Sequence, residues 1–157
     1  SCDAKYSTRM KPIELLLRLA KIREDQAMAN ARRATGQVHQ AQGFQRQVLD
    51  YAKDYENQIL EGAKKGTSVA FIQDANAFRE KLLLSSQEMN QQIKGLSSHS
   101  EQALKVAMQA KLRAQGLGKL VAKAHLEARK KLARAELSQL EDNYASRIGR
   151  NSGTENA

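Results

Sequence analysis

The feature that most constrains this chain is a stripe. Stepping from Ile13 by four and three residues in turn visits Ile13, Leu17, Ala20, Glu24, Ala27, Ala31, Ala34, Val38, Ala41, Gln45, Val48, Ala52, Tyr55 and Ile59. Twelve of these fourteen are apolar or tyrosine. A mean spacing of about 3.5 residues keeps one edge of an α-helix against a partner helix, the seam of a coiled coil. The stripe ends at Glu61 to Ser68, where Gly62, two lysines, Gly66, Thr67 and Ser68 make a turn with two candidate N-caps. A second stripe follows through Phe71, Ala75, Phe78, Leu82, Ser85 and Met89. The step to Ile93 is a second four in succession, a stutter. It resumes at Leu96, Ser100, Ala103, Ala107, Ala110, Ala114, Leu117, Val121, Ala124 and Ala128.

A short turn makes consecutive helices antiparallel neighbours. The chain is therefore expected to be all-α, a long two-helix antiparallel coiled coil, or α-helical hairpin, with helix two overhanging. The expected bounds are helix one at about 12–60, a turn at 61–68 and helix two at about 69–148. Residues 1–10 read as a flexible extension or remnant, and 149–157 as a disordered tail. Pro12 is expected in the first turn, where its missing N–H has no helical partner to lose. Composition agrees with long helix: of 157 residues only 4% are aromatic, and alanine, leucine, lysine, arginine, glutamine and glutamate dominate. An alanine-rich seam lets helices approach closely but buries little area, so modest stability is expected.

With the turn centred near residue 64, Tyr51 is expected across from Phe78, Val48 near Leu82, and Ile13 opposite about residue 115. Most of the large aromatics then gather in one band, with Val48, Tyr51 and Tyr55 on helix one and Phe78 and Leu82 on helix two. Tyr55 and Phe78 lie on the seam and read first as a local aromatic lock. Tyr51 lies off it, and an exposed tyrosine beside an apolar band reads as a partner anchor. Beyond residue 115, helix two holds Leu117, Leu120, Val121, Leu126, Leu132, Leu137 and Leu140 with no partner inside the chain.

Charge is concentrated in the same region. From Gln102 to Arg134 stand Lys105, Lys111, Arg113, Lys119, Lys123, Arg129, Lys130, Lys131 and Arg134, opposed by Glu127 alone. The formal net charge of the chain is +9. The plain reading is a solvated helix face; the sharper one is an acidic partner: a protein ring, nucleic acid or anionic lipid.

No constellation for catalysis emerges. Cys2 stands alone, so neither an intrachain disulfide nor a cysteine metal cluster follows from it. His39, His99 and His125 lack metal-ligand spacing and read as exposed helix histidines. Gly116, Leu117, Gly118 and Lys119 lack the first glycine, the strand and the Ser or Thr of a phosphate loop, and read as a loose spot where helix one runs out. Met28, Met89 and Met108 read as seam or near-seam gap fillers. No run of apolar residues is long enough to span a membrane. The chain reads as no enzyme and as using no cofactor.

Several residues together resemble the flagellar FliJ family. They are Val48, Leu49, Tyr51 and Tyr55, then Gly66 in the turn, then Phe78 and Leu82, with Asp142, Tyr144, Ala145 and Arg147 near the end. The likeness covers about residues 11 to 148. Ser86 and Glu88 depart from the isoleucine and glutamine frequent in the family, and its tryptophan in helix two is absent. The resemblance implies a cytoplasmic component of the bacterial type III export apparatus, peripheral to the inner membrane. It implies a coiled coil similar to the central stalk of rotary ATP synthases, inserted in a hexameric export ATPase, linked to the transmembrane export gate and assisting export chaperones. Carried onto this sequence, the gate-binding residues would be Val48, Tyr51, Tyr55, Phe78 and Leu82. The ring-binding residues would be Leu117, Leu120, Val121, Lys123, Leu126, Arg129, Lys130 and Lys131. Two alternatives stay open: the equivalent injectisome stalk protein, and a basic coiled-coil scaffold that binds nucleic acid.

Overall fold

The computed structural model describes the backbone of residues 2–154 and side chains from Pro12 to Gly153. Two helices account for it: α1, Cys2–Lys65, and α2, Val69–Thr154, with no strand among the described residues. They pack against each other as an α-helical hairpin. All fourteen positions of the first stripe are buried or half-buried, including Glu24 and Gln45.

The turn is shorter than the sequence reading placed it, because α1 continues through Glu61–Lys65. It closes at Gly66, whose φ of 72° lies in the left-handed region that a side chain would strain. The Thr67 N–H donates to the Gly62 carbonyl at 3.0 Å, the long bond of a Schellman cap. The Thr67 hydroxyl donates to the same carbonyl at 2.8 Å. Of the two candidate N-caps only Ser68 acts as one, its Oγ accepting from the Phe71 N–H at 3.3 Å.

At the other end, α1 begins at Cys2, so Pro12 lies inside the helix and not in its first turn. A proline there costs one backbone hydrogen bond and crowds the carbonyl four residues earlier. The side chains of residues 2–11, on which the expected N-terminal extension falls, are outside the described residues. Helix α2 runs past Ile148 to Thr154; the last positions of the expected tail, 155–157, are also outside the described residues.

The chain divides into two compact units, residues 23–110 and residues 1–22 with 111–157. In the first, the core is alanine: Ala27, Ala31 and Ala107 pack together with Ala103 and Ala110 around them. None of the described large side chains is fully buried. Polar layers interrupt this seam. The Thr35 and Ser100 hydroxyls meet at 3.1 Å, and Thr35 also donates to the Ala31 carbonyl at 2.9 Å. The Gln45 amide donates to the Ser86 carbonyl at 2.9 Å and to the Asn90 side chain at 2.6 Å. The stutter accompanies this layer: Ser85 is half-buried and Ser86 buried, so the stripe passes from one to the other.

In the second unit, Leu17 of α1 reaches within 3.9 Å of where a Cβ on Gly118 would stand. His125 Nε2 lies 3.2 Å from Glu14 Oε1, so this histidine faces a carboxylate and not open water alone. Leu117, Val121, Ala124 and Ala128 are half-buried, and from Arg129 to Gly153 every side chain is exposed. The Gly116–Lys119 stretch is therefore ordinary covered helix, not the place where α1 runs out. The stretch of α2 whose described side chains are all exposed starts at Arg129, later than expected, because the later turn shifts every pairing toward the C-terminus and α1 begins at Cys2, ahead of Pro12.

Candidate interaction surfaces

The aromatic band forms with different partners from those the sequence reading chose. Tyr55, one turn beyond Tyr51, meets Phe78: their ring centroids are 4.9 Å apart and tilted by 51°. That geometry suits the ring quadrupoles better than a flat stack. Val48 and Leu82 are half-buried seam residues, as Tyr55 is. Phe78 keeps 46% of its surface exposed while it covers Tyr55. Tyr51 does not face Phe78; it is 61% exposed, standing outward beside the buried Ala52. The error is one of register: a turn placed too early moves every cross-pair on α1 by about one helical turn.

Among the ring-directed residues, Leu117 and Val121 are half-buried in the hairpin, whereas Leu120, Lys123, Leu126, Arg129, Lys130 and Lys131 are exposed. The exposed set continues into Leu132, Leu137, Leu140, Tyr144 and Ile148, all more than half exposed. Apolar side chains interleaved with cations along the exposed face of α2 make a surface that water alone satisfies poorly.

Two further apolar surfaces were missed by sequence reasoning. Phe44 is exposed at the edge of a groove of about 420 Å³ that Met89, Ile93 and Leu96 line from α2. Its signal was a phenylalanine one position short of Gln45, off the stripe. Leu15, Leu16, Leu19 and Ile22 are all at least half exposed near the start of α1, though Leu17 among them is on the seam. Of the three methionines taken as gap fillers, Met89 fills that role; Met28 and Met108 are exposed.

No group of acidic, histidine or cysteine side chains among the described residues is arranged to hold a metal ion. No helix among them is long and apolar enough to cross a membrane. What these surfaces offer is docking area.

Compared with known families, residues 10–154 match the model of the flagellar FliJ protein. This chain belongs to the FliJ family. Membership makes it a component of the flagellar protein export apparatus, in a family of non-catalytic members. No curated protein and no solved structure matches the chain.

Proposed function

We propose that the chain acts as a stalk-like coiled coil of the flagellar type III export apparatus, on the cytoplasmic face of the inner membrane. The exposed end of α2 enters the hexameric export ATPase, the aromatic band reaches the transmembrane export gate, and the protein assists export chaperones. One observation supports this reading: from Arg129 to Gly153 every side chain of α2 is exposed, leucines and cations together. A helix of that kind gains most by burial in a pore whose wall offers apolar and acidic groups. Leu120, Lys123, Leu126, Arg129, Lys130 and Lys131 meet the ring, while Leu117 and Val121 support them from inside the hairpin. Val48, Tyr55, Phe78 and Leu82 hold the shape of the gate-docking band, and Tyr51 makes the contact.

The basic run supports a second reading, a scaffold for nucleic acid, whose binding would fall steeply with salt. Truncation after Ala128 separates the two. The described side chains that this cut removes are all exposed, whereas a cut after Gln115 would also strip Leu117 and Val121 from the hairpin. The truncated chain should stay helical, bind the gate and fail to stimulate the ATPase. Full stimulation by the truncated chain overturns the ring reading. Loss of nucleic-acid binding with stimulation intact selects the scaffold.

A further inference from the structure

The bare end of α2 carries a seam of its own. Ala133, Leu137, Leu140 and Tyr144 follow at intervals of four, three and four, all exposed. This row is not the continuation of the inner seam. Leu137 lies nine residues past Ala128, the last half-buried position. Nine residues are about two and a half turns, so Leu137 points to the side of α2 opposite the one that α1 covers.

The charges beside the row select what lies on it. On a two-helix seam, the residues flanking the apolar positions decide partner and direction. Here Arg129 and Glu136 flank one edge, and Arg134 and Glu141 the other. A parallel second copy would set Arg129 against Arg134 and Glu136 against Glu141, like charges at both places. An antiparallel copy, with Leu137 against Leu140, sets Arg134 of each chain beside Glu141 of the other. The contact then occurs twice, related by the two-fold axis. The same register stacks Ala133 on Tyr144, giving a continuous apolar centre. Lys130 and Arg147 close it at the ends, their stems over the seam and their heads in water.

We propose that two copies of this chain pair antiparallel through the row Ala133, Leu137, Leu140 and Tyr144, with Arg134 and Glu141 fixing register and direction. The seam is short beside a standard interface of about 1,600 Å², so pairing is weak and depends on concentration. It lays a second helix along the segment from Arg129 to Arg134, so a paired chain cannot offer that segment to a ring. That consequence, unlike the pairing, rests on the ring reading.

Sedimentation of the full chain alone, with reductant to keep Cys2 free, tests the pairing without any export component. The chain should pass from monomer to dimer as its concentration rises toward the millimolar range. Glu141→Arg should weaken association roughly five- to tenfold by setting Arg134 against a second cation. Arg134→Glu should do the same, and the double variant Arg134→Glu/Glu141→Arg should restore it. In a parallel dimer both single variants would tighten association, since each replaces a like pair by an opposite one. Tightening by either, a chain that stays monomeric, or association unmoved by Leu137→Asp overturns the proposal. All these substitutions fall on exposed helix and leave the hairpin seam untouched.

Discussion

At the scale of single residues, two tyrosines one turn apart have opposite roles. Tyr55 is covered by Phe78, so its ring is part of the fold. Tyr55→Ala should lower unfolding stability by about 1–3 kcal/mol, from lost burial plus the ring contact. Tyr51 stands outward and buries little, so Tyr51→Ala should change stability by less than about 0.5 kcal/mol. If Tyr51 anchors the gate, the same variant should weaken gate binding while its melting curve stays in place. Calorimetric melting and a gate-binding titration on the two variants check both statements. A large melting shift for Tyr51→Ala with unaltered gate binding would assign that ring to the fold as well. The sequence showed that Tyr51 lies off the stripe and Tyr55 on it. It did not show which of them meets Phe78, because that depends on where the turn falls.

At the scale of elements, periodicity made both helices legible almost position by position, and their ends much less so. The fourteen stripe positions of α1 are all covered, polar ones included, because a helix edge facing a partner covers whatever residue stands there. Gln45 looked like a defect in the stripe; it is the donor that ties α1 to Ser86 and Asn90 at the stutter. The turn was harder. Gly62 and Gly66 both read as breaks, yet only Gly66 adopts a positive φ, and α1 passes through Gly62 unbroken. Helix-ending glycines differ from tolerated ones in their hydrogen bonds, which sequence does not print. Gly66→Ala should therefore cost about 1 kcal/mol, the usual penalty for a side chain in the left-handed region. That corresponds to a fall in Tm of about 2–4 °C in a chain of this size. Gly43→Ala, in an open helical position, should be neutral or slightly stabilising. Paired thermal melts of the two variants test the contrast, and an equal loss at both glycines would refute it.

At the scale of the molecule, the two-helix class was legible because a 4-3 stripe on each side of a short turn leaves few other arrangements. The register was not, since an alanine seam offers nearly equal packing at neighbouring settings. Polar layers fix it: Thr35 with Ser100, and Gln45 with Ser86 and Asn90. A single buried polar layer is known to select register in coiled coils at some cost in stability. These layers make the pairing testable by covalent trapping. Cysteines at Thr35 and Ser100, in a chain whose Cys2 is replaced by serine, should close an intrachain disulfide on mild oxidation, because the two hydroxyls already meet at 3.1 Å. The bridge encloses a long loop and should stabilise by up to ~4 kcal/mol on the chain-entropy model. Cysteines at Ala41 and Gln87, the pair that the earlier turn would have brought together, should stay reduced under the same conditions. Mobility on a non-reducing gel, with and without reductant, distinguishes a monomeric closed loop from a crosslinked dimer. Closure of the Ala41 and Gln87 pair in preference to Thr35 and Ser100 would return the turn to residue 64 and would set Tyr51, not Tyr55, across from Phe78.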